Sequence, residues 1–158
     1  MAIEIERKFL LCDASWRDHA RRAERMLQGY LAGNDECSVR VRVSGDDARL
    51  NIKSATLGIE RLEFEYPLPV ADAEQMLRAL CGARTLEKTR HYVPHGAHEW
   101  EIDEFHGANA GLVVAELELT AADETFVRPP WLGAEVSDDP RYYNSRLVEH
   151  PYSHWSQR

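Results

Sequence analysis

Glu4, Glu6 and Lys8 stand two residues apart at the start of the chain, and charged or amide residues recur at that spacing along most of its length. Arg40 and Arg42 follow, then Asn51 and Lys53, Glu63 and Glu65, Lys88 and Arg90, Glu101 and Asp103, and Glu116 and Glu118. A spacing of two puts both members of a pair on one face of an extended strand. Most pairs carry a single sign, and adjacent like charges are unfavourable unless a counter-ion or ligand lies between them. Carboxylates bind hard divalent cations such as Mg2+ or Mn2+ through oxygen, whereas Arg and Lys bind phosphoryl oxygens by charge-assisted hydrogen bonds. A linear triphosphate bridged by a metal uses both kinds of group.

The residues between the charges are apolar: Ile3, Ile5 and Phe9; Val39, Val41 and Val43; Leu50 and Ile52; Leu62, Phe64 and Tyr66; Trp100 and Ile102; Val113, Ala115, Leu117 and Leu119. This alternation predicts eight strands near residues 3–11, 26–32, 37–44, 49–55, 61–68, 84–93, 99–105 and 112–120. Turn chemistry at Gly33-Asn34-Asp35, Gly45-Asp46-Asp47, Pro94-His95-Gly96 and Gly107-Ala108-Asn109 makes successive strands antiparallel neighbours. Arg7 breaks the apolar alternation without an evident reason. Three helices are expected: residues 15–24 with Ser15 as cap, a second capped by Asp72 with Gln75 and stopped at Gly82, and a third over residues 139–150.

One solution is an open sheet whose charged side faces water. The other, favoured by the like-charge pairs, is a mainly β (α+β) fold. In it an eight-stranded antiparallel barrel closes with the charges inside and helices packed outside on the apolar surface. With 44% hydrophobic and 29% charged residues, the chain suits a single domain over residues 1–150. Residues 151–158 would form a tail that either frays or covers one mouth of the barrel. A formal net charge of −8 argues against a broad nucleic-acid surface. The N-terminus lacks a signal-like apolar core, and no apolar run suits a membrane span, so a cytoplasmic location is expected. Cys12, Cys37 and Cys81 read as buried thiols in a reducing cytoplasm, while His91, His95 and His98 read as solvent-exposed loop residues rather than a metal site. The expected partner is a small-molecule triphosphate, with a homodimer allowed and neither nucleic acid nor membrane.

Glu4-Ile5-Glu6-Arg7-Lys8 resembles the E-x-E-x-K signature of the CYTH superfamily, the triphosphate tunnel metalloenzymes. Val39-Arg40-Val41-Arg42, Ile52-Lys53, Glu63-Phe64-Glu65, Glu87-Lys88-Thr89-Arg90, Glu101-Ile102-Asp103 and Val114-Ala115-Glu116-Leu117-Glu118 follow in the family's order, and Arg141-Tyr142-Tyr143-Asn144-Ser145 resembles its closing motif. The resemblance implies an eight-stranded tunnel with inward acids and bases. It implies Glu4, Glu6, Asp103, Glu116 and Glu118 as metal ligands or water positioners. Lys8, Arg40, Arg42, Lys53, Lys88 and Arg90 would hold phosphates. Glu63 and Glu65 would lie in the tunnel, and Tyr30 near Lys53 would protonate the leaving group or simply line the wall. Tyr143 stands where the family often has Lys. The expected activity is hydrolysis of inorganic triphosphate to pyrophosphate and phosphate. The alternatives are a class IV-type adenylate cyclase, a thiamine triphosphatase and a non-catalytic polyphosphate-binding module.

Overall fold

The computed structural model of the chain describes residues 2–156, so Met1 and the last two residues of the expected tail, Gln157 and Arg158, lie outside the described residues. Nine strands form: β1 (Ile3–Leu11), β2 (Arg22–Gly33), β3 (Cys37–Ser44), β4 (Asp47–Ser54), β5 (Glu60–Pro67), β6 (Thr85–His95), β7 (His98–Phe105), β8 (Val113–Leu119) and β9 (Leu132–Glu135). Two α-helices accompany them, α1 (Val70–Ala79) and α2 (Asn144–Leu147). All strand pairs are antiparallel, in the order β5-β4-β3-β2-β6-β7-β8-β1-β9, and β5 returns to β1 to close the barrel. The eight expected strands are therefore present, and the open-sheet alternative is excluded. Gly45, Gly96 and Gly107 take φ of 59°, 61° and 60° in the tight links, the left-handed region that glycine enters without a Cβ penalty.

β1 is the seam. One edge runs along β8 from Ile5 to Phe9, while the other is shared: Ile3–Ile5 faces β5, and Phe9 and Leu11 face β9. The ninth strand was not visible in the sequence, because Leu132-Gly133-Ala134-Glu135 is too short to show an alternation. Gly133 is nevertheless required there, since a Cβ would meet the Leu10 carbonyl oxygen at 2.9 Å. β9 also accounts for Arg7, whose outward guanidinium pairs with Glu135 and lies 5.1 Å from the Phe126 ring.

The apolar outside of the barrel is buried in patches. Phe9, Trp100, Ile102, Ala115 and Leu117 pack with Trp16, Trp131 and Leu132, under Phe126 of the long link after β8. Helix α1 lays Ala73 and Leu77, one turn apart, on Val41 and Ala48. Burying Leu77 contributes about 1.5–3 kcal/mol. Close approach depends on Gly29 of β2, where a Cβ would sit 2.7 Å from Cys81 Sγ and 2.9 Å from Leu77 Cδ2. The helix starts two residues before the expected Asp72 cap: Pro69 occupies the N-cap, where its missing N–H costs nothing, and no side chain caps the end. Gly82 is left-handed as expected, at φ 59°, but it lies in the turn from Cys81 to Arg84 beyond the Leu80 C-cap, so the helix ends before it.

Two expected helices are corrected. Over residues 15–24 only a 3-10 turn forms, Ser15–His19, with Asp13 accepting hydrogen bonds from the Ser15 amide and hydroxyl. The stripe Trp16, Ala20 and Ala23 offers one bulky anchor, and from Arg22 onward the ladder to β6 wins. The third helix breaks into a 3-10 turn, Pro140–Tyr142, and the single turn α2, with Tyr143 extended between them at ψ 135°. The tail packs: Trp155 stands edge-on to Tyr142 and, with Leu147, buries against Leu86, Phe105 and Val114. Those three continue the inward spacing of Lys88, Asp103 and Glu116, so one end of the barrel interior is apolar and filled.

Candidate active site

The rest of the interior is a cavity of about 300 Å3, the small end of ligand cavities, with an almost wholly polar wall. Its lining includes Glu4, Glu6, Lys8, Tyr30, Arg40, Arg42, Lys53, Glu63, Glu65, Lys88, Arg90, Glu116 and Glu118. Fourteen candidates were drawn from the sequence, and thirteen of them face this space. The exception is Asp103, which is fully buried inside the barrel beneath Lys88 and Arg90. Ser38, Arg61, Glu101, Tyr143, Asn144 and Ser145 also line it. Glu101 was legible from its spacing to Asp103. Arg61 was hidden at a strand start, and the closing segment 143–145 carries no alternation at all.

Charge is arranged unevenly around the wall. On β6, β7 and β8 it is paired. Arg90 donates from Nε to Asp103 Oδ1 at 2.8 Å and from Nη2 to Asp103 Oδ2 at 2.9 Å and Glu116 Oε2 at 3.1 Å, and it also pairs with Glu101. Lys88 donates to Asp103 Oδ2 at 2.7 Å and to Asn144 Oδ1 at 3.0 Å. Burial pulls the Lys88 ammonium down to about 8 against the opposing pull of Asp103. Asp103 thus spends its oxygens on the two bases and holds Lys88 and Arg90 in place.

On β4 and β5 the pairing continues. Lys53 Nζ lies 3.2 Å from both oxygens of Glu4 and 3.1 Å from Glu63, and Arg61 is 3.4 Å from Glu4. Asn51 donates to Glu65 at 2.7 Å. Tyr30 lies opposite Arg40, and β3 separates it from β4 and Lys53, whose own partner on β3 is Ser38. Lys8 reaches Glu116 at 3.4 Å and lies 5.5 Å from the centre of the Tyr143 ring, which Arg61 approaches at 5.6 Å. The Tyr143 hydroxyl donates to the Ser137 carbonyl at 2.6 Å and accepts from the Gly58 amide at 3.3 Å, tying the closing segment to the link between β4 and β5.

Two pairs stand apart. Arg40 and Arg42 on β3 have no ion-pair partner among the described residues, and the Nε of Arg40 is a buried donor without an acceptor. Burial, with Arg40 and Arg90 nearby, lowers the Arg42 guanidinium below its ordinary value. Glu6 and Glu118 face each other across β1 and β8, and neither makes a side-chain ion pair among the described residues, Lys53 and Lys8 acting on Glu6 only at longer range. Burial first, then Glu116 and Glu4, pushes the Glu6 carboxyl up to about 8. Burial also raises Glu118, reinforced by Glu4 and Glu63. An unpaired cation pair suits an anion, and an unpaired carboxylate pair suits a cation.

No group of three or more His, Cys, Asp or Glu side chains among the described residues is placed to close around a metal by itself. Mg2+ characteristically takes one or two carboxylates and completes its shell with water and substrate phosphates, so Glu6 with Glu118 fits that mode. The histidines do not gather either: His91 pairs with Glu104 and His98 with Glu124, both on strands rather than in a loop. The cavity opens past Arg42 and Glu65 toward Glu24, Ser44, Arg49 and Tyr92, and on another side past Ser38, Arg61 and Tyr143.

Comparison with known proteins places this geometry. The CYTH domain family model matches residues 2–143. An inorganic triphosphatase of Acetivibrio thermocellus is 41% identical over 157 residues, covering 99% of this chain and all of that protein. One from Nitrosomonas europaea is 37% identical over 150 residues, 92% of this chain and 96% of that one. Among solved structures, the inorganic triphosphatase NE1496 aligns with a TM-score of 0.68 and 32% identity over 94% of this chain and 95% of its own. A putative adenylate cyclase from Bacillus halodurans aligns at 0.58 with 17% identity over 78% and 84%, a likeness of fold alone. A closed barrel, an inward E-x-E-x-K strand and a match over most of the chain agree: this protein belongs to the CYTH domain family.

Proposed function

We propose that this chain hydrolyses inorganic triphosphate to pyrophosphate and phosphate with Mg2+ or Mn2+ in its barrel. The observation that carries the reading is the coexistence, in one small cavity, of an unpaired arginine pair and an unpaired carboxylate pair. Its support from relatives is that both curated proteins it resembles over nearly their full length are named inorganic triphosphatases.

Arg40 and Arg42 hold phosphoryl oxygens at one end of the substrate by charge-assisted hydrogen bonds, and Lys8, Lys88 and Arg90 line the same path. Glu6 and Glu118, with Glu4 and Glu116 beside them, are the residues that would hold the metal. When bound, the metal supplies charge neutralisation at the phosphoryl group and a more acidic water. Hydrolysis adds the oxygen of a water to the terminal phosphorus, breaks the phosphoanhydride bond and releases pyrophosphate and phosphate. Lys53, fixed between Glu4 and Glu63, is suited to stabilise charge on the leaving oxygen. Tyr30, across from Arg40, serves the phosphate-holding bases rather than Lys53. A cytoplasmic setting is supported by three unpaired cysteines, of which Cys12 is exposed. No helix is long and apolar enough to cross a membrane among the described residues.

The test is product analysis with inorganic triphosphate, ATP and thiamine triphosphate, each with Mg2+ and with Mn2+. Inorganic triphosphate should show a kcat/KM at least about tenfold above the organic substrates, or ~1.4 kcal/mol of transition-state binding. Equal turnover of ATP would remove the substrate assignment. Cyclic AMP and pyrophosphate appearing together would indicate a cyclase, and tight triphosphate binding without turnover a binding module.

A further inference from the structure

The closing segment puts a neutral side chain among the charges of the barrel. Two anchors fix that segment: the Tyr143 hydroxyl donates to the Ser137 carbonyl, and Leu147 is fully buried in the apolar end. Asn144 between them is half-buried and lines the cavity. Its Oδ1 accepts from Lys88 Nζ at 3.0 Å and from Gln28 Nε2 at 3.1 Å. An ammonium offers only donors, so the atom turned toward Lys88 must be the carbonyl oxygen. Gln28 is fully buried and conforms to that choice, because it donates to Asn144 while its own Oε1 has no donor among the described residues. The Gln28 amide is thus turned to hold Asn144 at the expense of its own acceptor.

We propose that Asn144 contacts the substrate, its Nδ2 donating to a phosphoryl oxygen of bound triphosphate, with Lys88 and Gln28 as the residues that orient it. The inference rests on the function proposed above and adds a neutral donor to it. With Oδ1 engaged twice, the Nδ2 corner is what Asn144 presents to the cavity, and its N–H groups make no hydrogen bond among the described residues. The place suits an anion. Gln28 pairs with Arg42 on β3, and Met26, two residues before it, pairs with Lys88 on β6, so Asn144 stands between the unpaired arginines and the ammonium. The cations there already oppose one another, Arg40 and Arg90 acting on Arg42 and Arg90 on Lys88. A carboxamide supplies a directional donor without adding to that repulsion.

Calorimetric titration with inorganic triphosphate in EDTA, beside KM and kcat measured with Mg2+, provides the test. Asn144→Ala should weaken binding and raise KM about tenfold, the change expected for a hydrogen bond to a charged group, with little effect on kcat. Asn144→Asp keeps the oxygen that Lys88 and Gln28 hold and removes only the donors, so it should lose at least as much. Gln28→Met removes the orienting donor together with the orphaned carbonyl: KM should rise while stability in urea holds or increases. A role confined to holding Lys88 in place predicts wild-type binding by Asn144→Asp, and that result overturns the inference. So does binding by Asn144→Ala within about twofold of wild type, or an unchanged KM in Gln28→Met. Should one Asn144 variant fail to fold by circular dichroism, the other decides. Triphosphate bound by the wild type without turnover would overturn the hydrolytic reading and leave this test intact, because the titration needs no metal. A wild type that neither binds nor cleaves triphosphate overturns both.

Discussion

The wall built from β6, β7 and β8 and the wall built from β3 are both charged yet differ in kind. On the first, Lys88, Arg90, Asp103 and Glu116 satisfy one another before any ligand arrives. On the second, Arg40 and Arg42 stand beside each other with no ion pair among the described residues, Glu65 and Asp103 acting on Arg42 only at longer range. A satisfied network is structure, because its energy is already spent inside the protein. An unsatisfied pair is receptive, because folding has left its desolvation and repulsion for a ligand to relieve.

Removing Asp103 tests the satisfied wall and should have the largest effect. Asp103→Ala leaves Lys88 and Arg90 buried without their shared carboxylate and should cost about 3–5 kcal/mol of unfolding free energy, read from urea denaturation. Excess Mg2+ should not restore it. Recovery of activity by metal with little loss of stability would return Asp103 to the ligand set and erase the contrast.

Arg42→Ala tests the receptive wall. It should raise KM for triphosphate about 10–100-fold, as expected for a charge-assisted bond worth about 1.5–3 kcal/mol, while stability holds or rises. A fall in stability matching that of Asp103→Ala would make the two walls alike.

The carboxylates at the seam should sharpen the comparison through pH. In EDTA, native Glu6 keeps its proton up to about 8, whereas in the unfolded chain it releases it near 4.5. The native state therefore binds the extra proton between those values, and stability should fall as pH rises through that window. Glu6→Gln should flatten the slope in thermal melts, and an unchanged slope would show that Glu6 is not the group responsible. The smallest effect is expected from Tyr143→Phe. It keeps the ring near Lys8 and Arg61 but loses the hydroxyl between Ser137 and Gly58, at a cost of about 1 kcal/mol by denaturation. A loss as large as that of Asp103→Ala would place the closing segment within the satisfied network.

The barrel was legible because a strand with two different environments writes them alternately into the sequence, and eight strands did so. What failed was information held in three dimensions. Asp103 shares its spacing with Glu101, yet it lies covered by Lys88 and Arg90 while Glu101 lines the cavity, since only the packing of those two bases decides which carboxylate is enclosed. Ser15 to Glu24 looked helical until a partner strand claimed its second half. β9 is four residues whose order is set by Leu10 and Leu11 on β1 rather than by their own preference. The outer face of β5 carries the same apolar alternation as its buried counterparts, and no local signal distinguishes the open face from the covered ones.

The seam at β1 also has a history in time. A chain made from its N-terminus exposes Ile3–Leu11 first, but the partners of that strand are β5, β8 and β9, the last of which ends at Glu135. β1 can meet β5 once residue 67 is made, but its edge along β8 and β9, alternating apolar and charged, must wait until nearly the whole chain has been synthesised. Pairings so distant in sequence close slowly, because loop entropy is lost before contacts return it. Glu6 and Glu118 would meet only at that last closure, which makes catalytic competence the final event of folding. Nascent chains ending before residue 112 should carry the β2–β6 ladder, detectable by hydrogen exchange, while binding no triphosphate; binding by such a chain would show that the cavity forms before its seam is shut.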